Sequence, residues 1–126
     1  MSAINVKPNC GPTACAVILN RSVDFVMDQF SQMFKKTDRW QGRSNWRQLL
    51  GFLKKNKIQT KEAPIGGSLA KWVEMNARAT GVYLVRVGNH FLVIKERQVY
   101  DNLGSGVSVT DSWCKAKRVT HAVEIN

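Results

Sequence analysis

The spacing of apolar residues predicts helices in the first part of the chain and strands in the last third. Apolar residues recur every three or four positions up to about Phe34, which is typical of an amphipathic helix. After Gly81 the pattern changes to short runs rich in β-branched and aromatic residues, which favour strands. The predicted helices cover about 12–20, 23–34, 45–56 and 69–79, and the predicted strands cover about 58–63, 82–87, 90–95, 98–102, 107–109 and 118–125. Helices followed by a mostly antiparallel sheet predict the α+β class.

Polar and glycine-rich positions predict where these elements begin and end. Ser22, Ser44 and Ser68 are each suited to cap the helix that follows. Glu96-Arg97 has the length of a two-residue hairpin turn, and Gly104-Ser105-Gly106 is predicted to be a loop. The first helix is apolar nearly all round, so we expect it to be buried.

Length and cysteine content narrow the class of protein. The chain has 126 residues, of which 44% are hydrophobic, so we expect one globular domain over residues 1–126. No run of about 18 apolar residues is present, which argues against a membrane-spanning protein. The N-terminus lacks a basic segment followed by an apolar stretch, and three cysteines cannot all pair within one chain. These features indicate reduced thiols and a cytoplasmic protein.

The net charge of +10 is concentrated in one segment. Residues 35–61 contain one acid, Asp38, and nine bases, and so carry eight of the ten net charges. The basic residues are Lys35, Lys36, Arg39, Arg43, Arg47, Lys54, Lys55, Lys57 and Lys61. Trp40, Trp46 and Phe52 are interleaved with them. The segment is either a solvated surface whose aromatic rings enter the core, or a binding surface for nucleic acid or another acidic partner.

Cys10 carries the most specific chemistry in the sequence. It lies in Pro8-Asn9-Cys10-Gly11-Pro12-Thr13-Ala14, directly before an apolar helical run. A cysteine nucleophile must be a thiolate, and a helix N-terminus or a nearby imidazolium lowers the thiol pKa. The backbone N–H of Cys10 would also be a natural donor to an oxyanion. The position therefore predicts a nucleophile at the start of a helix.

His90 is the residue that could act with this thiol. It begins an apolar strand after Gly88-Asn89, and a third group should orient its ring through the other ring nitrogen. With a two-residue turn at Glu96-Arg97, position 90 pairs with position 103, so Asp101 shares a face with His90. A three-residue turn would favour Asn102 instead. Both residues stay candidates, and the preference for tight turns favours Asp101.

The remaining cysteines and histidine have simpler interpretations. Cys15 and Cys114 fit buried apolar positions, and His121 fits a strand position without chemistry. A cysteine and histidine set could also bind zinc, but these residues lack the close paired spacing of a structural zinc site. We therefore predict no metal and no cofactor.

The sequence resembles papain-like cysteine peptidases. It is closest in pattern to the compact bacterial branch that includes the bacteriocin-leader-processing peptidases, and to small papain-like proteins often encoded by bacteriophages. The matching segments are 9–14, 81–94 and 99–101. The resemblance implies a papain-like α+β fold, with the nucleophile on the first helix and N-terminal helices packed on a small, mostly antiparallel sheet.

The same resemblance implies roles for individual residues. Cys10 would be the nucleophile, His90 the general base and acid, and Asp101 the orienting residue. The family usually has a glutamine several residues before the cysteine, whose side-chain amide contributes to the oxyanion hole. No glutamine precedes Cys10 here. Asn5 is the nearest upstream amide at a suitable distance, and Asn9 is adjacent to the cysteine, so the predicted oxyanion donors are Asn5 and the Cys10 N–H.

Three functional hypotheses follow. The first is a thiol-dependent acyl-transfer enzyme, a small cysteine peptidase or isopeptidase acting on a protein or peptide, in the cytoplasm of a host cell if phage-encoded. The second is a catalytically inactive papain-like module that binds nucleic acid or an acidic partner through the basic segment. The third is an effector that deamidates or transamidates proteins with the same residues.

Overall fold

The computed structural model describes residues 8–126, and helices come before most of the sheet. The helices within these residues are α1 (Cys10–Leu19), α2 (Val23–Phe34), α3 (Trp46–Lys55) and α4 (Leu69–Asn76). The strands are β1 (Thr60–Glu62), β2 (Val82–Val87), β3 (His90–Lys95), β4 (Gln98–Asp101), β5 (Gly104–Ser108) and β6 (Val119–Ile125), with a short 3-10 helix at Val109–Asp111 between the last two. The predicted α+β class is confirmed.

The strands form one six-stranded antiparallel sheet in the order β1-β6-β2-β3-β4-β5. The long strands β2 and β3 lie at its centre and are largely buried. Alternate residues of β3 point to opposite faces, so Phe91 and Val93 belong to one apolar core while Leu92 and Ile94 belong to another. The sheet therefore separates two cores.

The first core lies under the N-terminal helices. α1 packs on β3 and on α2, and its residues Ala14 and Cys15 are fully buried. The second core lies under α4, where Trp72 packs edge-on against Tyr83 and donates a hydrogen bond to the Pro64 carbonyl. The sheet covers one side of α1 and α2 covers another. This packing explains why the sequence of α1 is apolar nearly all round.

The hairpin of β3 and β4 has the predicted two-residue turn. Glu96 and Arg97 both have left-handed φ angles, of 54° and 60°, as a type I′ turn requires. Lys95 pairs with Gln98 and Val93 pairs with Tyr100, which is the register predicted for that turn. This register places His90 and Asp101 on the same face of the sheet.

Several predicted boundaries need correction. α1 begins at Cys10 rather than at Pro12, because the Thr13 N–H bonds the Asn9 carbonyl at 3.0 Å and closes a first turn that tolerates the proline. Asn45, not Ser44, caps α3, through a reciprocal capping box with Gln48.

Two further differences concern the second half of the chain. The predicted loop 104–106 is part of β5, whose backbone pairs with β4 from Gln98 to Asp101. α4 ends at Asn76, three residues earlier than predicted, where the Tyr83 hydroxyl accepts a hydrogen bond from the Arg78 N–H. Between residues 8 and 126, no helix is long and apolar enough to cross a membrane.

Candidate active site

Cys10 is the first residue of α1 and lies against the start of β3. Its side chain is buried, with 7% of the residue exposed. Burial raises the pKa of the Cys10 thiol, but a side-chain hydrogen bond with His90, the Phe91 and Gly11 N–H groups and the charge of His90 outweigh it. The net result is a pKa below that of an ordinary cysteine, so the site favours the thiolate.

His90 connects Cys10 to Asp101. Its Nε2 lies 2.8 Å from Asp101 Oδ2, and both side chains are about 5% exposed or less. With Nε2 engaged, Nδ1 is the ring nitrogen left for Cys10; it is buried and has no ordinary hydrogen bond within the described part of the chain. Burial lowers the pKa of His90, but the hydrogen bonds and charges of Asp101 and Cys10 raise it to about 9. The imidazolium is therefore favoured at neutral pH.

Asp101 is the last residue of β4. It lies two residues before position 103, which the hairpin register places opposite His90. Its Oδ1 accepts a hydrogen bond from the Leu103 N–H at 2.9 Å, which fixes the carboxylate. Burial raises the pKa of Asp101, but His90, the Leu103 N–H and the Trp113 indole lower it below its usual value. A charged carboxylate here can orient the ring and stabilise its positive charge.

Asn102, the other candidate for the orienting position, makes a different contact. Its Nδ2 donates a hydrogen bond to Asn9 Oδ1 at 3.1 Å. Asn102 thus ties the strand end to the residue that precedes the nucleophile. The structure brings Asp101, and not Asn102, to the His90 ring.

Asn5, the predicted upstream oxyanion donor, lies outside the described residues. The other predicted donor, the Cys10 N–H, is in the first turn of α1, where backbone N–H groups have no acceptor within the helix. Pro12 carries no N–H, and the Gly11 N–H is directed to the Cys10 sulfur. Among residues 8–126 the Cys10 N–H has no backbone acceptor, so within this part of the chain it can donate to a negative oxygen formed beside the thiolate.

Two residues of the site were not predicted as such. Trp113 packs its ring against His90, with centroids 4.9 Å apart, and covers the His90–Asp101 pair. Ser44 lines the cleft beside Cys10, and its buried hydroxyl has no hydrogen-bond partner among residues 8–126. A β-carbon on Gly11 would lie 2.1 Å from this hydroxyl, so the glycine makes room for the Ser44 loop against the nucleophile. Their spacing in the sequence carries no signal, because both come from loops.

The other cysteines and the second histidine lie elsewhere. Cys15 is fully buried, and burial raises its pKa to about 12. Cys114 is buried beside the Ser112 hydroxyl, and its pKa is raised, first by burial. His121 packs on the Trp46 ring. Within residues 8–126, no group of three or more His, Cys, Asp or Glu side chains is arranged to hold a metal ion.

The basic segment divides between the cleft beside Cys10 and the outer surface. Lys36, Arg43 and Arg47 line the cleft, together with Arg86 from β2. The other basic residues of the segment do not line the cleft and are exposed: Lys35, Arg39, Lys54, Lys55, Lys57 and Lys61. Of the interleaved aromatic residues, Phe52 is buried, whereas Trp40 and Trp46 are half-buried and also line the cleft.

Replacing Asp101 by asparagine should lower the pKa of His90 below about 9, because the carboxylate that stabilises the imidazolium is lost. An NMR titration of the ring resonances would measure this directly, since the chain has only two histidines and His121 serves as an internal reference. The matched control is Asn102→Ala, in which the His90 midpoint should stay at about 9. A midpoint that moves only in the Asn102 variant would assign the orienting role to Asn102.

The geometry therefore brings together a thiol at a helix N-terminus, an imidazole and a carboxylate: the imidazole is hydrogen-bonded to the carboxylate, and its charge lowers the pKa of the thiol. The residues come from α1, β3 and β4, so the fold and not local sequence assembles them. No protein-family model, curated protein or solved structure matches the chain.

Proposed function

We propose that this protein is a thiol-dependent acyl-transfer enzyme of papain-like fold that hydrolyses a peptide, isopeptide or side-chain amide bond. The observation that carries the proposal is the buried chain Cys10–His90–Asp101, in which the thiol pKa is lowered and the imidazole pKa is raised to about 9. A thiolate–imidazolium pair of this kind supplies a nucleophile and a proton donor at neutral pH.

The reaction follows from this pair. The Cys10 sulfur attacks the substrate carbonyl carbon, and the oxygen takes up negative charge beside the Cys10 N–H. His90 then gives its proton to the leaving amine, the carbon–nitrogen bond breaks, and a thioester remains on Cys10. Neutral His90 next takes a proton from water, which attacks the thioester and releases the carboxylic acid. Asp101 keeps the ring oriented and stabilises its charge throughout.

The papain-like assignment rests on the arrangement as well as on the resemblance of the sequence. The nucleophile begins the N-terminal helix, the histidine begins a central strand, and the acid ends the next strand of the hairpin. The helices pack on an antiparallel sheet. Deamidation or transamidation would use the same three residues and differ only in the group that accepts the acyl chain.

The test is acyl transfer from p-nitrophenyl acetate. Cys10 should take the acetyl group as p-nitrophenolate leaves. After an acid quench, intact-mass analysis should find one acetyl group per protein, and fragmentation of digested peptides should place it on Cys10. Water should then release acetate, so that p-nitrophenolate exceeds the enzyme in amount. Cys10→Ala should lose both signals, whereas Cys15→Ala should keep them because Cys15 is fully buried. A folded wild-type protein that never forms the thioester would instead be a binding module without catalysis.

A further inference from the structure

The cleft beside Cys10 is positively charged and contains no acid among its lining residues. It has a volume of about 1130 Å³, and Cys10, the proposed nucleophile, is one of its lining residues. Lys36, Arg43, Arg47 and Arg86 line it, whereas none of the nine acidic residues of the chain does. A concave site lined by one sign of charge focuses its field on an incoming ligand.

Within the described residues, none of these four charges has an ion-pair partner. The ion pairs among residues 8–126 are Arg78–Glu124 and His90–Asp101, and neither involves a cation of the cleft. Two of the cations are instead held by uncharged groups. Arg86 donates a hydrogen bond to Asn89 Oδ1 at 3.3 Å, and the Lys36 ammonium lies 5.4 Å from the centre of the Trp40 ring. The charges are thus positioned but left available to a ligand.

We propose that this cleft binds an acidic segment of a polypeptide substrate, next to the bond that Cys10 attacks. The inference rests on the proposed acyl-transfer function and adds its substrate class. Arginine side chains suit carboxylates because the guanidinium can form two parallel hydrogen bonds with one carboxylate. A glutamate or aspartate side chain in the cleft would give these cations the ion-pair partners that they lack among residues 8–126.

The aromatic rings argue against nucleic acid as the occupant. Binding of single strands relies on rings that are free to stack on bases. Trp40 and Trp46 are half-buried and line the cleft, but their rings already have partners. The Trp40 ring is stacked on Phe30 at 5.4 Å and also faces Lys36, and the Trp46 ring packs against both Phe91 and His121. In addition, a thiolate at the end of the cleft attacks acyl carbons, which a polypeptide has and a nucleic acid backbone lacks.

The charge of the cleft can be measured with two small reagents that alkylate the same thiol. Iodoacetate is an anion and iodoacetamide is neutral, so the ratio of their rates on Cys10 reports the local potential while thiolate content cancels. In Arg43→Gln/Arg47→Gln the ratio should fall roughly tenfold at low salt, as expected when a focused field is removed. The control Lys54→Gln/Lys55→Gln removes two charges from the same segment outside the cleft and should leave the ratio unchanged. Equal falls in both variants would overturn the proposal, because they would indicate diffuse surface charge.

The occupant is tested by binding to Cys10→Ala, which removes any dependence on the reactivity of the thiol. A fluorescent Glu/Asp-rich peptide should bind, as read by anisotropy, and Arg43→Gln/Arg47→Gln in this background should lose most of the binding while Lys54→Gln/Lys55→Gln retains it. Tighter binding of an oligothymidylate of matched charge, or no binding of the peptide at low salt, would overturn the proposal. Failure of acyl transfer with intact peptide binding would reject the enzyme and keep the acidic-peptide site.

Discussion

Alkylation of Cys10 by iodoacetamide should be complete at a pH where an ordinary thiol barely reacts. Only roughly 3% of free cysteine is thiolate at pH 7, given a pKa of about 8.5. The Cys10 pKa is lowered by His90 and by two backbone N–H groups in spite of burial, so a larger fraction of Cys10 than of free cysteine should be thiolate at pH 7. We expect Cys10 to react several-fold faster than free cysteine at about pH 7, since a lower pKa also costs some nucleophilicity.

The sign of the full pH dependence follows from the two shifts. Lowering the pH through the Cys10 pKa protonates the thiolate and ends labelling. Raising the pH through about 9 removes the His90 proton. Acyl transfer from a substrate with a poor leaving group, such as an amine, should then decline even though the thiolate persists. Intact-mass spectra resolve the site, because Cys15 and Cys114 are buried with raised pKa values and should stay unlabelled. Labelling of Cys10 with the midpoint of a free thiol would contradict the proposed nucleophile.

Replacing His90 by alanine should have the second large effect, and it should raise the Cys10 pKa. Burial, which raises the pKa, remains, and only the Phe91 and Gly11 N–H groups are left to oppose it. The labelling midpoint should therefore move above that of wild type. Acyl transfer should fall by about 10²- to 10⁴-fold, the usual contribution of a general acid–base group.

The controls for this variant separate chemistry from folding. His90→Ala leaves the buried Asp101 carboxylate without its partner, which destabilises the fold. His90→Gln keeps a side chain that can donate to Asp101 but cannot accept or release a proton at neutral pH, so it should lose transfer while unfolding at a higher temperature than His90→Ala. His121→Ala should transfer acyl groups as wild type does. A His90→Gln protein that is folded and fully active would exclude His90 as the acid–base group.

The elements that depend on local pattern were predicted well. The period of apolar residues and the Ser22 cap placed α2 at its observed bounds, and the Ser22 hydroxyl accepts from the Phe25 N–H as a cap should. The central hairpin was predicted because Glu96-Arg97, between its apolar runs, has the length of a tight turn, which was preferred over a three-residue turn and imposes one register. In both cases the information lies within a few residues.

Two of the wrong boundaries share a cause. Residues 104–106 contain two glycines, which favour a loop, yet pairing with β4 holds them in a strand. Ser44 and Asn45 are both good caps. The Ser44 side chain is packed against Gly11, and Asn45 caps α3 instead. Tertiary contacts outweighed local preference at each position.

The sequence by itself determined that a thiol lies at the start of a buried helix and that a hairpin follows a histidine, and it favoured Asp101 over Asn102 for the face shared with that histidine, because caps, period and turn length act over a few residues. Only the tertiary structure decided that these two parts meet: α1 docks its N-terminus at the start of β3, eighty residues later in the chain. It also decided that Trp113 covers His90 and that part of the basic segment lines the cleft. Such contacts between distant residues depend on how whole elements pack, and no local spacing encodes them.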